Sequence, residues 1–246
     1  MSVADRARHV LIELKRHAPF TLFGALTGIA MMMLFRNIGH QASYRLFYIF
    51  HPAHVVLSAM VTASLFRLHE RSRSFLIVLL VGYVGSIGTA TLSDSIMPFF
   101  GEEIMGVAVP TEAAVHSGGQ AGEEHHHKEL HIGFIEEWYI VNPAAFLGIL
   151  IAYFMPRTKL PHAFHILIST WASSAHIMMN TYQPITAVLI PVIFIVLFIA
   201  VWLPCCFSDI VFPMLLVKSN VEISSARSPH AHHSQRHEHI AEEPGK

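Results

Sequence analysis

A chain of 246 residues that is 53% hydrophobic and only 13% charged falls well below the roughly 25% charged residues of a soluble globular domain. Its mean hydropathy is +0.48, and its charges gather between long apolar stretches instead of lining amphipathic faces. The formal net charge of −1 excludes a basic nucleic-acid surface, and two adjacent cysteines, Cys205 and Cys206, exclude a disulfide framework.

Residues 1–18 read as a charged cytoplasmic arm carrying Arg6, Arg8, Lys15 and Arg16, with no small-residue cleavage site before the next apolar stretch. A helix needs about 20 mostly apolar residues to cross the hydrocarbon of a bilayer. Six stretches qualify: 19–38, 44–66, 74–100, 133–155, 161–180 and 184–217. Open strands would leave backbone groups unpaired in lipid, so an all-α polytopic membrane protein is expected. The last stretch is long enough to tilt, or to break at Pro191 or Pro204. Arg67, Arg71 and Arg73 join helices 2 and 3, Arg157 and Lys159 join helices 4 and 5, and Lys218, Arg227 and Arg236 follow helix 6. With the N-terminal arm, these segments share one side of a six-span arrangement. The other side has only Arg36, Arg45 and Lys128 as basic residues. The positive-inside rule then puts both termini in the cytoplasm, in an integral protein of the lipid bilayer, expected to be the bacterial inner membrane. Segment 101–132 becomes a Glu-, Gly- and His-rich outer loop, and 218–246 a His-rich cytoplasmic tail.

The spans fall into two halves, 19–100 and 133–217, that repeat each other. His51-Pro-Ala-His54-Val-Val-Leu-Ser58 matches His162-Ala-Phe-His165-Ile-Leu-Ile-Ser169 as H-x-x-H-x-x-x-S, and Thr62 answers to Ser173. Ser93-Asp94 with Pro98 matches Ser208-Asp209 with Pro213 as S-D-x-x-x-P. Pro19 and Gly24 match Pro143 and Gly148 more weakly. The order is the same in both halves, and loops of different length explain the small drift in spacing. Three spans per half is an odd number, so the second half enters from the opposite side, giving two inverted three-helix repeats. In secondary transporters that arrangement places the site at the repeat interface near the midplane.

Asp94 and Asp209 are the only acids well inside the apolar stretches. An Asp at a helix centre costs about 2.5–3.5 kcal/mol on insertion scales, and such residues face the bundle interior or a wet cavity. Residues at i, i+3 and i+7 share a helix face, so His51, His54 and Ser58 form one stripe and His162, His165 and Ser169 another. Neutral imidazole is a common ligand of transition metals. The expected metal ligands are therefore His51, His54 and Asp94 toward the outside, and His162, His165 and Asp209 toward the cytoplasm. The two clusters form either successive stations or one binuclear site. Ser58, Ser169, Glu136, Glu137, Asn142 and His176 are accessory candidates, although Glu137 beside Trp138 also fits interfacial anchoring. Cys205 and Cys206 read as buried packing residues before they read as ligands.

The expected activity is transport of a divalent transition-metal ion, with Zn the first choice and Ni, Co, Fe and Mn open. No nucleotide-binding motif is present, and a homo-oligomer is compatible with the sequence. The alternatives are an intramembrane metal-dependent hydrolase and a proton-coupled transporter of a small organic substrate. His-rich tracts read as metal-collecting segments. Replacing His125, His126 and His127 should weaken transport of externally added metal at low concentration and spare it at saturation. Loss at all metal concentrations in a flux assay would put those histidines in the ion path.

Overall fold

The computed structural model describes residues 3–69, 74–105, 133–156, 159–181 and 186–208. Every regular element among them is helical. In chain order they are α1 (Val3–Leu34), α2 (His40–His69), α3 (Phe75–Thr91), a π turn (Leu92–Ile96), α4 (Met97–Ile104), α5 (Gly133–Glu136), α6 (Trp138–Phe154), α7 (Lys159–Asn180) and α8 (Leu189–Cys206). Most of the outer loop, the cytoplasmic tail and Asp209 lie outside the described residues.

Large apolar side chains cover much of the exterior, while many polar ones are buried beside the apolar core. Phe23, Leu34, Leu76, Leu80, Phe154 and Ile195 are exposed, while the buried set includes five histidines, Asp94, Glu102, Glu137 and a run of serines and threonines. A continuous apolar exterior of this kind needs lipid around it. Four helical stretches, His17–Leu34, His40–Leu68, Phe75–Ile104 and Leu189–Cys206, are long and apolar enough to cross a membrane. The fold is that of an integral helical membrane protein. Of the six spans expected from the sequence, two fall short of those criteria. The 17-residue α6 is apolar but short. The 22-residue α7 is long enough but gives many of its positions to His, Ser and Thr.

The helix ends also differ from expectation. α1 is continuous from Val3 through the charged arm, so His17 joins the buried part of the bundle. α3 continues through the π turn into α4, which places Glu102 in the same rod as Asp94. That turn lies just before Pro98, whose missing N–H makes an α-helical ladder incomplete. The backbone widens instead, with the Met97 N–H bonding the Leu92 carbonyl. α8 does not break at Pro204, which lies inside it, and Pro191 sits in its first turn, where a missing N–H is tolerated. The same widening recurs at Phe207 and Ser208.

Helices α2 and α7 cross at the centre. α2 also packs on α6 and α3, and α7 on α1 and α8; α3 touches α6, and α1 touches α8. Lipid tails are as apolar as leucine, so small residues that let backbones close together carry the association. A Cβ on Gly148 would run into the Val56 carbonyl and stand 2.8 Å from the Ala59 Cβ. A Cβ on Gly24 would stand 2.9 Å from Thr170 Oγ1. Overpacking of such a contact costs about 1–3 kcal/mol. Gly148→Leu should therefore lower the thermal unfolding midpoint of the detergent-purified protein clearly more than Leu147→Ala, which alters an exposed side chain.

Candidate functional site

The centre of the bundle is organised around Asp94, which is 0% exposed. α2 brings His51 Nδ1 to 2.9 Å and His54 Nδ1 to 2.7 Å from the same oxygen, Asp94 Oδ2. The i, i+3 spacing makes this geometry available, because both rings leave one face of α2. The other oxygen, Oδ1, accepts from Ser93 Oγ at 2.7 Å and from Ser169 Oγ of α7 at 3.1 Å. A carboxylate has about four lone-pair sites, and these four donors use them. Against an acceptor of this kind each Nδ1 carries its proton and donates, which leaves the lone pair on Nε2. His51 Nε2 and His54 Nε2 are buried and have no hydrogen-bond partner among the described residues.

The two histidine stripes meet at their second members. The His54 and His165 rings stack with centroids 4.8 Å apart and planes 21° from parallel. Cys205 Sγ of α8 lies 3.6 Å from His165 Nε2. One ligand atom from each of His54, His165 and Cys205 lies within 4.8 Å of the others, and all three residues are buried. Three helices thus bring metal-type donors together at one buried point.

The remaining expected residues are dispersed around it. His162 is half-buried, packs edge-on against His17 with centroids 4.3 Å apart, and lies 6.3 Å from the His165 ring. Ser58 is buried, with no partner for its hydroxyl among the described residues. Asn142 accepts from the Tyr83 hydroxyl at 3.0 Å, and Glu136 is exposed. Glu137 is buried close to His51 across Gly133. His176 donates from Nδ1 to Glu102 Oε1 at 2.9 Å, and Asn180 donates to both oxygens of the same carboxylate. Phe47 packs between these groups, stacked on His51 at 5.0 Å and edge-on to His176 at 5.5 Å.

Two participants, Cys205 and Glu102, were not among the expected ligands. Cys205 stands four residues before Asp209 in the sequence, the spacing of one helical turn, and that spacing was the available signal. Glu102 lies two turns beyond Asp94, past the point where the apolar stretch was taken to end.

Hydroxyl contacts continue between the helices. Thr62 and Ser208 pair at 3.1 Å, with Ser208 donating to the Gly85 carbonyl, and Ser173 donates to the Ser93 carbonyl at 2.9 Å. No protein family, curated protein or solved structure matches this chain.

Removing the Asp94 carboxylate strands two buried imidazole donors, each costing about 1–3 kcal/mol when unsatisfied. Asp94→Ala should therefore destabilise the metal-free protein by several kcal/mol in chemical unfolding, and Asp94→Asn by less, since an amide oxygen still accepts.

Proposed function

We propose that this protein is a membrane transporter or channel for a divalent transition-metal ion, zinc first, with Ni, Co, Fe and Mn as alternatives. The observation that carries the reading is the buried meeting of His54 and His165, one from each H-x-x-H stripe, with Cys205 beside them. Ligand atoms around a tetrahedral zinc stand about 3.3–3.8 Å apart, given bonds of about 2.0–2.3 Å. Donors already within 4.8 Å need only small side-chain adjustments to reach that spacing. Two imidazoles and a thiol favour zinc and its transition-metal neighbours over Mg or Ca. Three protein donors leave a position open for exchange, unlike a closed structural site.

In this reading Asp94 positions ligands and does not bind the ion itself. It fixes the ring orientation and tautomer of His51 and His54, the role of a carboxylate behind a metal-bound histidine. Cys205 supplies a third donor beside the paired histidines, while the expected contribution of Asp209 falls outside the described residues.

A duplicated, inverted six-span architecture with both termini in the cytoplasm of a bacterial inner membrane belongs to the same proposal. Reciprocal contacts support it. His54 meets His165, the corresponding histidine of the other half. Thr62 meets Ser208, and its counterpart Ser173 meets Ser93. Gly148 closes on Ala59 and Gly24 on Thr170, each partner one residue past its stripe's serine. Each contact is the image of another under exchange of halves, and the crossing lies where carriers with inverted repeats hold their cargo. An intramembrane hydrolase would need a general base at the open position. Glu136 is exposed and the acceptors of Asp94 are taken.

Sealed proteoliposomes with a trapped metal-sensitive dye test the reading. His54→Asn and His165→Asn should each slow zinc entry at least about tenfold, and Asp94→Asn should weaken apparent affinity about 10–100-fold. Absence of metal flux through the unaltered protein under every pH gradient and membrane potential would overturn it.

A further inference from the structure

His51 lies outside the central triad, yet it is built like a ligand. It is 1% exposed, its Nδ1 is fixed on Asp94, and its ring is held flat against Phe47, with planes 9° from parallel. Its Nε2, buried and without a hydrogen-bond partner among the described residues, points at α5. A Cβ on Gly133 would stand 2.7 Å from that nitrogen and 3.8 Å from Glu137 Oε2. Gly133 is helical and buried, and among the described residues only Gly39 has a positive φ. The backbone therefore does not call for glycine at 133. What the missing side chain permits is close approach of the His51 ring to α5, which brings an imidazole lone pair near a carboxylate that is 1% exposed.

We infer that His51 Nε2 and the Glu137 carboxylate, brought together over Gly133, form a second binding station for a divalent transition-metal cation. The inference rests on the transport reading above and extends it to a separate place. The donor set is one nitrogen and one carboxylate, harder than the nitrogen–sulfur set at His54, His165 and Cys205, and it leaves several positions to water. Such a station holds a partly hydrated ion and passes it to the softer, drier centre. Asp94 Oδ2 links the two, since it accepts from the histidine of each.

The stations differ in spectrum, which lets them be tested separately. Co²⁺ is added alone to the full-length protein in lipid nanodiscs. A thiolate ligand gives cobalt a near-ultraviolet charge-transfer band, whereas a nitrogen–oxygen site gives only weak visible bands. His51→Asn keeps a donor for Asp94 Oδ2 and removes Nε2, Glu137→Gln removes the charge, and Gly133→Ala pushes the His51 ring away from Glu137 while leaving both ligand side chains chemically intact. All variants keep the loop and tail histidines, so that background is common to them. Each variant should bind about one cobalt ion fewer per chain than the unaltered protein and retain the charge-transfer band. Undiminished cobalt binding in both His51→Asn and Gly133→Ala, with the band retained, overturns the second station and leaves the transport reading standing. If the unaltered protein shows no charge-transfer band, or loses none of it on His165→Asn, the central site fails first and this inference falls with it. Should Gly133→Ala misfold, His51→Asn alone decides.

Discussion

A carboxylate with no exposure to solvent, in the middle of an apolar helix, is the constraint on which the site geometry depends. At the centre of a bilayer an Asp costs about 2.5–3.5 kcal/mol on insertion scales, and more where it finds no partners. Asp94 meets that cost with four donors from three elements: two imidazoles of α2, the adjacent Ser93 in the π turn, and Ser169 of α7. Satisfying it ties α2, the α3–α4 rod and α7 into one register. The same bonds turn both imidazoles so that Nε2 faces away from the acid. Structural need and ligand presentation are thus met by one group, which is why a change at Asp94 cannot affect one without the other.

The packing follows from the solvent. With leucine and phenylalanine already content in lipid, contact between helices depends on close backbone approach and on hydroxyl bonds. Gly24 and Gly28 open space that Thr170 and Ser174 of α7 fill, Gly148 lets α6 close on Val56 and Ala59 of α2, and Ser173 of α7 bridges to the Ser93 carbonyl. Individual bonds of this sort average about 0.6 kcal/mol in membrane helices, so the central crossing is held by their number. It is also the place where a polar side chain can be kept away from lipid. The ion-type donors are therefore found at the α2–α7 crossing and along the helices packed on it.

Much of this was visible in the sequence. The H-x-x-H-x-x-x-S stripes announced one polar face on each central helix, and hydropathy announced helices in lipid. The pairing of His51 and His54 with Asp94 followed from helix spacing and from the cost of an isolated acid. Two things were less legible. Periodicity says which residues share a face, but it does not say which face of another helix they meet. The stacking of His54 on His165, and the arrival of Cys205 beside them, depend on the crossing of α2, α7 and α8. Hydropathy also marks the end of an apolar run and not the end of a helix. Glu102 was placed in the outer loop for that reason, although α4 carries it within the bundle. Cys205 was discounted because a buried cysteine is ordinarily inert.

The π turn at Leu92–Ile96 has a geometric consequence of its own. A π turn holds one residue more than the α-helical turn it replaces, so every side chain beyond it is displaced by about 100° around the rod. With that offset in place, Glu102 faces His176. A straight rod of the same length, with a residue deleted between Leu92 and Ile96, would swing the carboxylate round to a different neighbour while leaving the helices before it untouched. The extra residue therefore acts as an angular spacer, setting two acids of one helix, Asp94 and Glu102, toward different partners.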